Sequence, residues 1–293
     1  MIKHFLSTSL ALLSFASQAQ NVCVAEPDPR WSDIYETCAT VAVSVKTMYN
    51  RTISGGMFVT HYKPKGDGPF PLVIMNHGRS ADNRASPPRQ RYPDIARFWL
   101  KRGYAVFVPT RLGYGATVVD GDPEDSGKCD NKNYFPMMDA ASEQVRAAIE
   151  FGKTLPWVNT QRVIVMGQSV GGFTSVAVSS KRIPGVVAAI NFAGGSGGDP
   201  KNRPNNPCEP NKIAQTMASF GKNSSVPMLW FYALNDLYWG ADHPKAWHKA
   251  YVSAGGKAEF VQLPISGDDG HSAISREMAI WQPKIDEWLK TIP

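Results

Sequence analysis

Ser169 stands in Gly167-Gln168-Ser169-Val170-Gly171, between the apolar run Val163-Ile164-Val165-Met166 and a stretch dominated by small residues. A serine hydroxyl is a weak nucleophile until a base removes its proton, and the base needs an acid to hold its tautomer and its developing charge. The bare Gly-x-Ser-x-Gly pattern arises by chance in roughly one chain in ten of this length. Its context therefore decides. A strand buried on both faces, a sharp turn and a tightly packed helix would lift the Ser169 hydroxyl clear of a sheet. The Val170 N–H, at the start of that helix, would then be free to donate to an oxyanion.

His271, in Gly270-His271-Ser272, follows the last expected strand and is the best candidate for the base among six histidines. His4 belongs to an expected leader. His61 falls in an early hairpin, and His243 and His248 fall on a helix at a spacing that puts them on different faces. His77 follows a strand and can shape the site or serve the fold. For the acid, Asp236 in Leu234-Asn235-Asp236 lies just past a strand and between serine and histidine in chain order. Asp199, Asp242, Asp268 and Asp269 compete, the last two being too near His271 in sequence to orient it easily. A second oxyanion donor is expected after an earlier strand, in His77-Gly78-Arg79-Ser80, as the Arg79 N–H. Tyr114, Tyr238 and Trp239 are candidate walls for a substrate. Arg79 and Arg111 have the chemistry to hold a substrate carboxylate. Arg111 can equally pair with an acid at 120–125, which is the preferred reading.

These residues need elements to position them. Residues 40–47 alternate as a half-buried strand, Gly55-Gly56 reads as a turn, and residues 57–62 as the antiparallel partner. Buried strands are expected at 71–75, 104–109, 163–166, 186–192, 227–233 and 257–263. Helices are expected at 92–101, 140–151, 213–220, 244–254 and 274–289, with Pro283 beginning or kinking the last part. Residues 120–136 read as a loop and Asn159-Thr160 as a turn. Strands alternating with helices predict an α/β fold: a mainly parallel twisted sheet with helices on both faces and no large cap domain. In such sheets ligands bind at the carboxyl ends of the strands, where Ser169, Asp236 and His271 all fall.

Composition narrows the class further. A hydrophobic content of 43% over 293 residues supplies a full core and excludes global disorder. The net charge of +6 is scattered and no nucleic-acid motif accompanies it, so a solvated surface is expected. Residues 1–19 read as a secretory signal: Lys3 and His4, then an apolar stretch too short to span a bilayer, then Ser17-Gln18-Ala19 before the cut. Residues 20–39 read as an N-terminal extension and 40–293 as the catalytic domain. Four cysteines, Cys23, Cys38, Cys129 and Cys208, suit two disulfides in an exported protein, periplasmic or secreted, and allow three connectivities. Cys23–Cys38 and Cys129–Cys208 are favoured. No dinucleotide-type glycine pattern, P-loop or zinc spacing is present, so no cofactor and no metal is expected. The expected partner is a small-molecule or peptide acyl substrate.

The chain resembles the α/β-hydrolase superfamily over roughly residues 40–290, and within it the dienelactone-hydrolase-like or acyl-peptidase-like serine hydrolases. The motifs that carry the resemblance are Asn76-His77-Gly78, Arg111-Leu112-Gly113-Tyr114-Gly115, Gly167-Gln168-Ser169-Val170-Gly171, Asn235-Asp236 and Gly270-His271. The resemblance implies acyl hydrolysis. Dienelactone hydrolases proper use cysteine where this chain has Ser169, so lactone specificity does not carry over. Carboxylic-ester hydrolysis is the first expectation, amide or peptide hydrolysis the second, and a non-catalytic binding protein on a hydrolase fold the third.

Overall fold

An apolar strand without alternation needs cover on both faces, and the chain provides it by passing a helix between successive strands. The computed structural model describes Cys23, residues 28–80 and residues 82–292. The expected leader lies outside the described residues. A hairpin of β1 (Glu36–Lys46) and β2 (Thr52–Tyr62) leads into β3 (Phe70–Asn76), α1 (Pro93–Leu100), β4 (Ala105–Thr110) and α2 (Tyr134–Lys153). The elbow follows as β5 (Val158–Gln168) and α3 (Val170–Ser179), then β6 (Val186–Phe192), α4 (Pro210–Asn223), β7 (Met228–Ala233), α5 (Asp242–Ser253) and β8 (Ala258–Leu263). Two helices close the chain, α6 (Ala273–Arg276) and α7 (Met278–Leu289). The strands form one sheet in the order β1-β2-β4-β3-β5-β6-β7-β8. The hairpin is antiparallel to itself and to β4, and every pairing from β4 to β8 is parallel. The expected fold class is met.

Strand side chains alternate between the two faces, and the core follows that alternation. Val73, Met75, Val106, Val108, Ile164 and Met166 pack with Trp99 of α1 and Trp281 of α7 on one face. Leu72, Ile74, Phe107, Val163 and Val165 pack with Val145 and Ile149 of α2 on the other. Further along that second face, Phe173 of α3, Ile213 of α4 and Trp247 of α5 cover β6 and β7. Among the described residues no helix is long and apolar enough to cross a membrane.

Five local expectations need correction. Gly55-Gly56 is not a turn: both lie inside β2, opposite Val43 and Ala42. The chain reverses earlier, at Asn50 (φ 58°), a residue type that tolerates the left-handed region. Asn159 and Thr160 belong to β5, where the pairing with β3 jumps from Pro71↔Asn159 to Leu72↔Val163. The polar residues there form an irregularity in a strand rather than a turn between elements. α2 starts at Tyr134, inside the stretch read as loop, because Tyr134, Met137 and Met138 are buried. The closing helix breaks at Glu277, between α6 and α7, and Pro283 lies inside α7 rather than beginning its final part. The first strand begins earlier than the expected residue 40, since β1 starts at Glu36. Both favoured disulfides, Cys23–Cys38 and Cys129–Cys208, are present.

Candidate active site

β5 ends at Gln168 and α3 begins at Val170, so Ser169 alone makes the turn. Its backbone takes φ 57° and ψ −125°, a conformation that costs energy for any residue with a side chain. Three hydrogen bonds hold it there: Ser169 N–H donates to the Phe192 carbonyl (2.9 Å), and the Ser169 carbonyl accepts the N–H groups of Phe173 (3.0 Å) and Gly195 (3.2 Å). The crossing of helix and strand leaves no room for a side chain at Gly171, where a Cβ would overlap the Asn76 carbonyl of β3. The glycine pattern thus serves the close approach that presents the serine.

Asp236 lies past the end of β7, and His271 in a 3-10 turn (Gly270–Ser272) after β8. His271 Nδ1 is 3.0 Å from Asp236 Oδ2 and 3.1 Å from Oδ1. A carboxylate only accepts, so Nδ1 carries a proton, and in the neutral imidazole Nε2 then has the lone pair. Asp236 is fully buried and His271 nearly so. Asp236 Oδ1 also accepts the N–H groups of Tyr238 (2.9 Å) and Trp239 (3.2 Å), which fixes the carboxylate before any substrate arrives. The histidine loop is tied to the serine turn by Gln168 Nε2, which donates to the His271 carbonyl (2.8 Å). Ser169 Oγ makes no hydrogen bond to His271 in this structure. In resting hydrolases that contact is commonly long and tightens when substrate binds.

A cavity of about 220 Å³ opens at Ser169 and is lined by Val170, Arg79, Ser196, Tyr238 and Trp239 among others. Neither the Val170 nor the Arg79 N–H donates to another described residue. Two backbone donors beside a serine can hold the negative oxygen of a tetrahedral adduct. The Arg79 loop comes close because residue 78 is glycine, where a Cβ would lie 3.1 Å from Ser169 Cβ. The Arg79 side chain is bound to Asp122 at 2.7 Å. Burial works against its charge, but Tyr114 and the Asp122 carboxylate outweigh that and raise its pKa.

Two candidate substrate contacts do not face the cavity, and for Arg111 the preferred pairing with an acid at 120–125 is the one found, with Glu124. Arg111 is fully buried, with Nε 2.6 Å from Glu124 Oε1 and Nη1 donating to the His77 carbonyl at 3.0 Å. Tyr114 is buried with it and donates to Glu124 Oε2 at 2.7 Å. Both brace the loop after β4 instead of facing the cavity. His77 joins them: its Nε2 accepts the Arg111 N–H (3.1 Å) and its Nδ1 donates to the Gly78 carbonyl (2.6 Å). Burial and the Arg111 charge hold its pKa well below the usual histidine value, so it stays neutral and shapes the Gly78-Arg79 loop. Tyr238 and Trp239 do line the cavity, as expected of walls.

Sequence reasoning missed Asp269. Its Oδ1 accepts the N–H of His271 (2.9 Å) and of Leu237 (3.0 Å), joining the loops that carry His271 and Asp236. The imidazole is held by Asp236 instead, and nearness in sequence suits Asp269 to cap the backbone two residues on. Lys132 was missed as well. It lines the cavity, and its Nζ donates to Ser126 Oγ (3.2 Å) and the Gly127 carbonyl (2.5 Å).

The family model of the dienelactone hydrolase family matches residues 59–277. No curated protein matches the sequence. Among solved structures, the esterase Pf2001 of Pyrococcus furiosus superposes with a TM-score of 0.58 at 14% identity, over 93% of this chain and 96% of that one. Est1E of Butyrivibrio proteoclasticus gives a TM-score of 0.53 at 16% identity, over 86% of this chain and 98% of that one. The acylaminoacyl peptidase of Pyrococcus horikoshii gives 0.56 at 14% identity, over 87% of this chain but 41% of that one. At such identities the likeness is one of fold, shared by esterases and a peptidase. The family match spans about three quarters of the sequence and includes Ser169, Asp236 and His271; the chain belongs to the dienelactone hydrolase family.

Proposed function

We propose that the protein is a serine hydrolase that cleaves carboxylic esters through Ser169, His271 and Asp236. The observation that carries this reading is the buried Asp236–His271 pair, joined through Gln168 to a serine held at φ 57° on a strand-to-helix turn. A structural histidine would need neither a fully buried carboxylate nor a strained serine on the adjoining turn.

In the first step Ser169 Oγ bonds to the acyl carbon while its proton passes to His271 Nε2. Asp236 steadies the imidazolium, and the Val170 and Arg79 N–H groups hold the oxyanion. Collapse of the adduct breaks the bond to the leaving oxygen, which takes the proton from Nε2 and departs as an alcohol. Water then attacks the acyl-enzyme, giving its proton to Nε2, and Ser169 recovers a proton as the acid leaves.

The cavity of about 220 Å³ suits a short acyl group. Purified protein is therefore expected to hydrolyse p-nitrophenyl acetate and butyrate faster than the octanoate, and Ser169→Ala to remove that activity. Turnover that survives Ser169→Ala would overturn the assignment. Inactivity on all three esters, without labelling of Ser169 by a fluorophosphonate, would favour a binding protein. Two disulfides further support our reading that the chain works outside the cytoplasm, after removal of residues 1–19.

A further inference from the structure

We propose that Tyr238 is a positioning residue for His271, its ring face holding the imidazole and stabilising the imidazolium that forms there. The inference rests on the triad reading above and adds a residue to it.

The Tyr238 and His271 ring centroids are 3.9 Å apart and the planes 20° from parallel. Trp239 meets the same imidazole edge-on, at 5.5 Å and 72°. The two aromatics have different duties. Trp239 is buried and its Nε1–H donates to the Ala193 carbonyl (2.7 Å), so hydrogen bonding fixes it to the end of β6. The Tyr238 hydroxyl makes no hydrogen bond to any described residue, so its contribution to the site is the ring. That ring is placed by the triad's own acid: Asp236 Oδ1 accepts the Tyr238 N–H at 2.9 Å. Gly198 packs against it, and a Cβ there would lie 2.7 Å from Tyr238 Cδ1. The loop after β6 must therefore carry a residue without a side chain for the tyrosine to lie flat on the histidine.

A cation over an aromatic face is attracted by the negative face of the π-system, most strongly where water is excluded. In the mechanism proposed above His271 acts as a base and becomes positive once it has taken the Ser169 proton. The face of Tyr238 therefore interacts more favourably with the state that forms on the way to the tetrahedral adduct than with the resting state. An interaction of that kind raises kcat, whereas a wall that binds ester and transition state alike changes KM.

The test is a double-mutant cycle on p-nitrophenyl butyrate. Tyr238→Leu, which keeps bulk but not the aromatic face, is expected to lower kcat about tenfold with KM changed less than about twofold. Tyr238→Phe should restore most of the loss. In a His271→Ala background the leucine substitution should change the residual rate less than about twofold, because the tyrosine acts through the histidine. Thermal unfolding of each variant checks that it is folded, and Tyr238→Met replaces Tyr238→Leu if the latter is not. Equal losses in both backgrounds, a loss confined to KM, or a phenylalanine variant as poor as leucine would each overturn the inference while leaving the triad standing. Full turnover by His271→Ala would instead remove the triad reading on which it rests.

Discussion

At the residue scale, the candidate site depends on which atom of His271 carries the proton. Asp236 accepts from Nδ1 and also binds two backbone N–H groups, so its value lies in being an acceptor and nothing else. Asp236→Asn keeps the shape but offers an NH2 group to Nδ1. The imidazole would then turn its protonated nitrogen toward Ser169, where a lone pair is needed. We expect kcat for ester hydrolysis to fall on the order of 10³- to 10⁴-fold, with thermal unfolding little changed. A loss below about tenfold in steady-state kinetics would show that another group serves as the acid. The placement of Ser169, Asp236 and His271 past the ends of their strands was readable from the sequence, because strand ends, chain order and residue type coincide at these three. Arg111 and Tyr114 were ambiguous for a physical reason. A guanidinium near a strand end binds any carboxylate within reach, and only the folded loop shows that Glu124 has taken both side chains.

At the element scale, the walls of the cavity come from loops whose sequence says little about where they lie. Parallel strands were legible because burial on both faces writes an unbroken apolar run. The jump in the β5 register and the early start of α2 were not, since each depends on contacts made across the fold. The Cys129–Cys208 bridge gives the loops their order. It joins the loop after β4, which brings Ser126 and Lys132, to the loop after β6, which brings Ser196 and Gly198. Cys208 also donates its N–H to the Gly197 carbonyl at 2.9 Å, and Arg203 binds that carbonyl from below at 3.3 Å. The cross-link closes 79 residues, a span for which chain entropy gives about 4.5 kcal/mol as an upper figure. Ser169, Asp236 and His271 sit on other turns. Replacing both cysteines by serine should therefore lower the unfolding temperature and raise KM more than it lowers kcat. Calorimetry and ester kinetics on the double variant check both, and an unchanged KM would mean that the loops keep their places without the bridge.

At the scale of the whole molecule, the sheet has to be closed at its N-terminal edge, where β1 pairs on one side only. Glu36, at the first position of β1, is the fastening point. Its carboxylate lies 2.7 Å from Arg89 and 2.7 Å from Arg91, and it accepts the Tyr62 hydroxyl at 2.8 Å. Burial would push its pKa up, but the hydrogen bonds from Arg91, Arg89 and Tyr62 prevail and the folded value lies below the ordinary 4.5. A carboxylate depressed on folding adds stability above its unfolded pKa, and that stability is lost as pH falls through the folded value. Other carboxylates, Asp28, Asp33 and Asp286 among them, are also depressed by arginine partners, but they are common to parent and variant and cancel when Glu36→Gln is compared with the parent. Glu36→Gln is then expected to unfold at a lower temperature than the parent at pH 7, where the parent carboxylate is charged. As pH falls below 4.5 the parent loses its advantage, and the two unfolding temperatures should converge. Thermal melts of both proteins between neutral and acid pH provide the check. A gap that stays constant across that range would mean that Glu36 serves β1 through packing, and that its charge adds nothing to holding the sheet edge.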